Sequence, residues 1–157
     1  LTVWDSLAIC EYLSETHAGL SGWPGERAAR AEARSIAAEM HSGFPALRSE
    51  LPMNIRARRR ISPSAAAQAD IARVMSLWTR CRNHHAAAGP WLFGAFSIAD
   101  AMYAPVVFRF QTYGVTLSGQ AAEYVKTVLS DPAVMEWAAA ARAETEGVAA
   151  DEAGTPV

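Results

Sequence analysis

The segment from Ser97 to Tyr113 limits the possible folds of this chain more than any other. Within it, the run IADAMYAPVVFRF is apolar nearly all round a helix instead of along one face. A helix of that kind is stable in water only when neighbouring elements bury it on all sides. The sequence therefore predicts a buried central helix over 97–113, kinked at Pro105 because proline lacks the backbone donor.

The first residues of this central helix also predict how its end is capped. Ser97 and Asp100 form the pattern S-x-x-D, a short variant of the capping box. In that motif the serine side chain accepts a hydrogen bond from the amide of residue 100, and the acidic side chain reaches back to the amide of residue 97. Buried helix ends must satisfy their free amides. We therefore interpret Ser97 and Asp100 as a structural capping box.

Helical patterns account for most of the remaining chain, and alternating β-branched runs are absent. The longest pattern predicts one helix from about Glu26 to Leu51, bent at Pro45. Its apolar positions recur every three or four residues, which defines one helical face: Ile36, Met40, Phe44, Leu47 and Leu51. The other predicted helices cover about 5–17, 63–87, 119–129 and 132–144. The predicted fold class is therefore all-α.

Composition argues against several classes of partner. Hydrophobic residues make up 51% of the 157 residues and charged residues 19%, which is typical of a soluble globular protein. The formal net charge of −2 gives no reason to expect nucleic acid or a membrane as a partner. No apolar run approaches the roughly 20 residues of a membrane span. The run RARRR at 56–60 is interpreted as a solvated loop, with phosphate or nucleic-acid binding as the weaker alternative.

No metal site is predicted from the cysteines and histidines. Cys10 and Cys81 are far apart and lack the spacing of a zinc site or a CxxC pair. His84 and His85 are adjacent, so on a helix they point about 100° apart and do not easily share one ion. Cysteines without a disulfide pattern are typical of a reducing compartment, so the sequence favours a cytoplasmic location.

The stretch WDSLAI near the start of the chain indicates a different kind of site. Asp5 and Ser6 precede an apolar helical run. Either residue could serve only as a helix cap. A helix N-terminus also carries free amides and partial positive charge, so it suits an anion. The dipeptide is therefore either a cap alone or one half of an anion-binding site.

Five segments, in order along the chain, resemble the glutathione S-transferase family: WDSLAICEYL, GLSGWPG, EMHSGFPALRSELPMN, GAFSIADAMYAPVV and SDPAVMEWAAAA. The resemblance implies that residues 1–18 end a thioredoxin-like glutathione-binding domain, that 19–25 are an interdomain linker, and that 26–145 form the family's C-terminal helical bundle. It also implies that most of the thioredoxin-like α/β domain lies before Leu1. Residues 146–157 are polar and small, and they are expected to form a flexible tail.

The resemblance also assigns chemical roles to the anion site. In the family, the serine that matches Ser6 holds the γ-glutamyl carboxylate of glutathione, and the acidic residue that matches Asp5 holds the γ-glutamyl ammonium group. The family residue is more often glutamate, so a bridging water could complete the contact of the shorter Asp5. The residue that activates the glutathione thiol lies near the family's N-terminus. No catalytic residue is therefore expected in this chain, and glutathione is the implied co-substrate.

The pocket for the electrophile is expected between the two domains. Met40, Phe44 and Arg48 lie at four-residue spacing and could present one face to it, with Tyr103 joining from the central helix. A Met and aromatic stripe at helical spacing is at least as often plain core packing. Arg48 could meet an anionic group of the substrate, or it could lie along the surface with its charge in water.

The leading functional hypothesis is a glutathione transferase that conjugates the glutathione thiolate to a small electrophile. The resemblance further implies a cytoplasmic homodimer that acts in detoxification. The main alternative is a non-catalytic binding or assembly module with the same fold, because fold does not fix function. An unrelated helical bundle is the third reading.

Overall fold

The structure is a computed structural model that describes residues 1–17, 19 and 21–157. Ala18 ends the first predicted domain segment and Leu20 falls within the predicted linker, and both lie outside the described residues. The helices of the described part are α1 (Ser6–Thr16), α2 (Arg27–Ser42), α3 (Pro45–Glu50), α4 (Ala65–His85), α5 (Ile98–Thr112), α6 (Gly119–Ser130) and α7 (Pro132–Ala143).

Two short 3-10 turns, Ala86–Ala88 and Ala149–Asp151, and two short strands complete the described elements. The strands are β1 (Arg59–Arg60) and β2 (Thr155–Pro156), and they pair antiparallel. The predicted all-α fold class is confirmed, because these strands contain only two residues each. Of the helices described here, none has both the length and the apolarity to cross a bilayer.

Helix α5 lies at the centre of the bundle, as predicted. It packs against α2, α6 and α1, and nine of its fifteen residues are buried. Trp78 of α4 is fully buried beside it. The Trp78 ring lies 5.8 Å from Tyr103, 5.4 Å from Phe110 and 5.0 Å from Tyr124 between ring centroids. This aromatic cluster joins α4, α5 and α6 into one core.

The capping box is present at the start of α5. The Asp100 carboxylate accepts hydrogen bonds from the Ser97 amide at 2.9 Å and from the Ser97 hydroxyl at 3.0 Å. Its other oxygen accepts from the Leu92 amide at 3.1 Å. Because Asp100 is buried, this one carboxylate fixes both the helix start and the loop that leads into it.

The helix predicted over 26–51 is not continuous, because the structure divides it into α2 and α3. The break lies at Gly43 and Phe44, and Phe44 adopts a left-handed backbone conformation with φ 57° and ψ 46°. Pro45 takes the first position of α3, where its missing N–H costs no hydrogen bond. The proline thus starts a new helix instead of bending the old one.

The arginine run and the last residues of the chain are hydrogen-bonded to each other. Arg56 donates to the carbonyls of Glu144 and Glu146 at 2.7 and 2.9 Å. Arg59 donates to those of Glu152 and Ala153 at 2.6 and 2.7 Å. The segment expected to be a flexible tail is therefore held to the bundle, and these two arginines are engaged with protein carbonyls instead of water alone.

Replacing both arginines, Arg56→Ala with Arg59→Ala, is expected to release residues 144–153 from the bundle. Amide hydrogen exchange in that segment should accelerate about tenfold or more, because four hydrogen bonds from charged donors are lost. Arg58→Ala is the matched control, since among the described residues the Arg58 guanidinium bonds only to the Ala57 carbonyl. Equal exchange rates in the double variant and the control would contradict this role.

Candidate functional site

The anion site predicted from the sequence lies at the start of α1, where Asp5 is the N-cap. One oxygen of the Asp5 carboxylate accepts hydrogen bonds from the amides of Leu7 at 3.0 Å and Ala8 at 3.4 Å. The Asp5 backbone has φ 78° and ψ 129°, outside the regions open to most L residues. Such strain costs on the order of 1–3 kcal/mol and is concentrated at ligand sites.

Ser6 is the first residue of α1 and is exposed. Its amide belongs to the first turn, where backbone donors have no partner within the helix. The hydrogen bonds of the described residues include none that uses the Ser6 hydroxyl. Ser6 therefore combines a hydroxyl without a hydrogen-bond partner among the described residues with the N-terminus of a helix.

Contacts farther along α1 determine where Ser6 lies. Ser14 accepts a hydrogen bond from the Gly22 amide at 3.0 Å, and the Gly22 carbonyl accepts one from the Ile98 amide at 2.8 Å. Trp23 donates its ring N–H to Glu11 at 2.9 Å. These bonds connect the last turns of α1 to the segment before α2 and to the first residue of α5.

Ser6 opens onto a cavity of about 360 Å³ between α1, α2 and α5. A volume of this size is typical of a small-molecule site. Most of its lining is apolar or sulfur-containing, and its polar members are one serine, one histidine and two arginines. The lining residues are Ser6, Cys10, Met40, His41, Arg48, Met53, Ala101, Met102, Pro105 and Arg109.

The second carboxylate oxygen of Asp5 contacts His41 of α2. The Asp5 Oδ2 lies 3.1 Å from His41 Nε2, and 40% of each side chain is exposed. Asp5 therefore uses one oxygen to cap α1 and the other to link α1 to α2. The sequence did not predict a role for His41, although His41 directly follows Met40. The pattern of one helix does not show which residues of another helix lie next to it.

Arg109 is a second residue that the sequence analysis missed. It is the one basic residue of α5, a helix that is otherwise mostly apolar. A single basic residue in a mostly apolar helix was the sequence feature that could have identified Arg109 as a candidate site residue. Arg109 is half-buried and lines the cavity together with Arg48 of α3.

The four residues predicted for the electrophile pocket divide into two groups. Met40 and Arg48 line the cavity. Phe44 is buried in the core. Tyr103 is fully buried, and its hydroxyl donates to the Ile36 carbonyl at 3.2 Å. Phe44 and Tyr103 are thus placed as packing residues beneath the cavity and are not part of its lining.

Cys10 lines the cavity but is poorly suited to act as a nucleophile. Burial raises the pKa of the Cys10 thiol, and the neighbouring Glu11 carboxylate raises it further. The thiol therefore stays protonated near neutral pH, and a thiol is much less reactive than a thiolate.

Comparisons with known proteins identify the family of the helical domain. Residues 27–140 match the family described as "Glutathione S-transferase, C-terminal domain". A crystal structure of a glutathione transferase homologue from Burkholderia gl BGR1, with bound glutathione, is 26% identical with a TM-score of 0.66. It covers 92% of this chain, which in turn covers 70% of the homologue.

A second solved structure supports the fold alone. It is a glutathione S-transferase from Rhodospirillum rubrum F11, 23% identical, with a TM-score of 0.61. That alignment covers 99% of this chain and 70% of the other. No curated protein sequence matches the chain significantly.

Proposed function

The chain belongs to the glutathione S-transferase family, and we propose that it binds glutathione and conjugates the glutathione thiolate to a small electrophile. Ser6 binds the γ-glutamyl carboxylate, and Asp5 binds the γ-glutamyl ammonium group. A homologue 26% identical to this chain was crystallised with glutathione, which supports the same co-substrate here.

The observation that carries this proposal is the position of Ser6 at the positive end of α1, exposed and on the wall of the cavity. A carboxylate at that point would accept from the Ser6 hydroxyl and amide and would interact favourably with the helix dipole. The rest of the ligand would then extend along the cavity toward α5. A cap without a ligand role would not need the hydroxyl of Ser6, because Asp5 already caps the helix.

Asp5 has the charge to bind an ammonium group and is held in place to do so. Its carboxylate is fixed by the α1 amides through one oxygen and by His41 through the other. The ammonium group would approach the oxygen that faces His41, since the capping oxygen is already shared by two amides.

In the proposed reaction the thiolate sulfur forms a bond to the electrophilic carbon. The leaving group departs with the electron pair of its bond to that carbon, and the thiol proton passes to solvent. The part played by this chain is to bind glutathione at Ser6 and to hold the electrophile in the cavity. Bringing the two reactants together in one orientation is itself a large part of such catalysis.

Removing the Ser6 hydroxyl tests the glutathione site directly. In Ser6→Ala the dissociation constant for glutathione, measured by calorimetric titration of the full-length protein, should rise about tenfold, because one hydrogen bond to a charged group is lost. Ser35→Ala is the control, since Ser35 is exposed on α2 and, within the part of the chain that the structure describes, its hydroxyl bonds only to the Ala31 carbonyl. Equal affinities in Ser6→Ala and wild type would exclude the assigned role of Ser6.

The same titration on the wild type tests the wider proposal. A wild-type protein that binds no glutathione would overturn the proposed function and favour the non-catalytic assembly module. Where glutathione is bound, release of chloride from chlorodinitrobenzene distinguishes a transferase from a module that only binds it.

A further inference from the structure

We propose that Arg48 and Arg109 bind a carboxylate on the electrophilic substrate, a specificity that rests on the proposed transferase function. Both arginines line the cavity onto which Ser6 opens. The substrate class is therefore a small electrophile with an apolar body and an anionic group.

Backbone carbonyls hold the two guanidinium groups in place. Arg48 donates through Nη1 to the His41 carbonyl at 3.0 Å. Arg109 donates through Nη1 to the carbonyls of Arg48, at 3.1 Å, and of Leu51. One terminal nitrogen of each group is thus used for positioning, and the second terminal nitrogen of each is left for a ligand. A guanidinium with fixed orientation and free donors suits the planar geometry of a carboxylate.

No close carboxylate of the described residues compensates the positive charges of this pair. Within the described part of the chain, neither Arg48 nor Arg109 forms an ion pair. The Nε of Arg109 is buried without a hydrogen-bond partner. That nitrogen is covered by protein atoms, so a ligand in the cavity would bind the terminal nitrogens of the Arg109 side chain.

Electrostatics point to the same partner. Burial lowers the pKa of Arg109 and the positive charge of Arg48 lowers it further, while Asp151 and Tyr113 act in the opposite direction. The charged form of Arg109 is therefore held in an unfavourable environment by desolvation and by a like charge. An anion between the two guanidinium groups would relieve both effects.

The remaining lining explains why the anion belongs to a small organic molecule. Around the two arginines the cavity is lined by the side chains of Met40, Met53, Met102 and Pro105. Methionine is flexible and polarisable, so it packs against ligands of varied shape. A free inorganic anion would leave this apolar surface uncovered.

Two glutathione conjugates that differ by one carboxylate test the proposal without requiring catalysis. S-Benzylglutathione and S-(4-carboxybenzyl)glutathione share the glutathione part and direct an aromatic ring into the cavity. Calorimetric titration of the full-length wild type should show about tenfold tighter binding of the carboxylated conjugate, the gain expected of a charge-assisted hydrogen bond. Arg48→Met should abolish this preference, and Arg48 is exposed, so its loss should leave the fold intact.

Arg60→Met is the matched control, because Arg60 is exposed and does not line the cavity. It should retain the preference for the carboxylated conjugate. Arg109→Lys is a second variant, which keeps the positive charge but loses the planar guanidinium group. It should reduce the preference for the carboxylated conjugate only in part.

The other outcomes each decide against the proposal. Equal binding of the two conjugates by the wild type overturns the inference but leaves glutathione binding intact. If Arg48→Met weakens glutathione and both conjugates by the same factor, the arginines bind a carboxylate of glutathione itself, and the second substrate is not their ligand. If the wild type binds neither glutathione nor a conjugate, the proposed function fails as well.

Discussion

Replacing Trp78 with alanine should lower the free energy of unfolding by about 3–5 kcal/mol, the range for removing a buried large aromatic side chain. Trp78 is fully buried and contacts the rings of Tyr103, Phe110 and Tyr124. The indole N–H forms no hydrogen bond with the residues that the structure describes, so the expected effect comes from lost packing. In a domain of this size, the melting temperature should fall by about 10 °C, which differential scanning calorimetry would measure.

Trp137 provides the control for this substitution. It is 42% exposed on α7 and makes one aromatic contact, with Phe108 at 5.3 Å between ring centroids. Trp137→Ala should therefore cost about 1 kcal/mol, as is usual for a partly exposed position. A larger loss of stability in Trp137→Ala than in Trp78→Ala would show that the aromatic cluster is not the centre of the core.

Replacing Asp100 with alanine should cost about 3 kcal/mol, because it leaves buried amides of Leu92 and Ser97 without acceptors. Both amides now donate to the Asp100 carboxylate. Asp100→Asn keeps the shape and one acceptor oxygen, so it should lie between alanine and wild type. Urea unfolding of the three proteins would measure the order, and an asparagine variant as unstable as alanine would contradict the assignment of separate acceptors.

The stability provided by Asp100 should also depend on pH. Burial raises the pKa of Asp100 from 3.8 to about 6, although hydrogen bonds from Leu92 and Ser97 act in the opposite direction. Between these two values the folded state holds a proton that the unfolded state has released. The proton bound by Asp100 therefore adds to the free energy of unfolding. This gain is complete below about pH 4, and about 3 kcal/mol of it is lost as the pH rises through 6.

Asp100→Asn has no such proton, so it provides the reference for this pH effect. The difference in free energy of unfolding between wild type and Asp100→Asn should shrink as the pH rises from about 4 to about 7. Urea titrations at several pH values would measure it. A difference that grows with pH would mean that the hydrogen bonds favour the ionised carboxylate enough to outweigh its burial.

The parts of the fold that were predictable depend on local patterns. The all-round apolar surface of residues 98–110 predicted its own burial, and Ser97 with Asp100 predicted the cap. Both signals concern residues within one or two helical turns, where spacing alone determines which groups meet. The division of α2 from α3 was missed because Phe44 adopts a left-handed conformation that is rare for a bulky residue.

The parts that were not predictable depend on pairings across the chain. Arg109 bonds to carbonyls 58 and 61 residues away, and His41 meets Asp5 across two helices. The arginine run was interpreted as a solvated loop because its partners, which are backbone carbonyls and the Glu152 carboxylate, lie far away in the sequence. Of the four residues predicted for the pocket, Met40 and Arg48 line the cavity. Helical spacing predicts which residues share a face of a helix, but it does not predict how deeply each side chain is buried.

Gly22 makes the position of Ser6 depend on a residue that is far from any ligand. A Cβ at position 22 would lie 2.7 Å from the Cβ of Ser14 and 2.8 Å from the Cδ1 of Ile98, so a larger residue would push these neighbours apart. A helix moves as a rod, and Ser6 lies about 12 Å along it from Ser14. A small displacement of α1 near Ser14 would therefore also move Ser6. A substitution at position 22 would change ligand affinity in the same way as a change in the site itself.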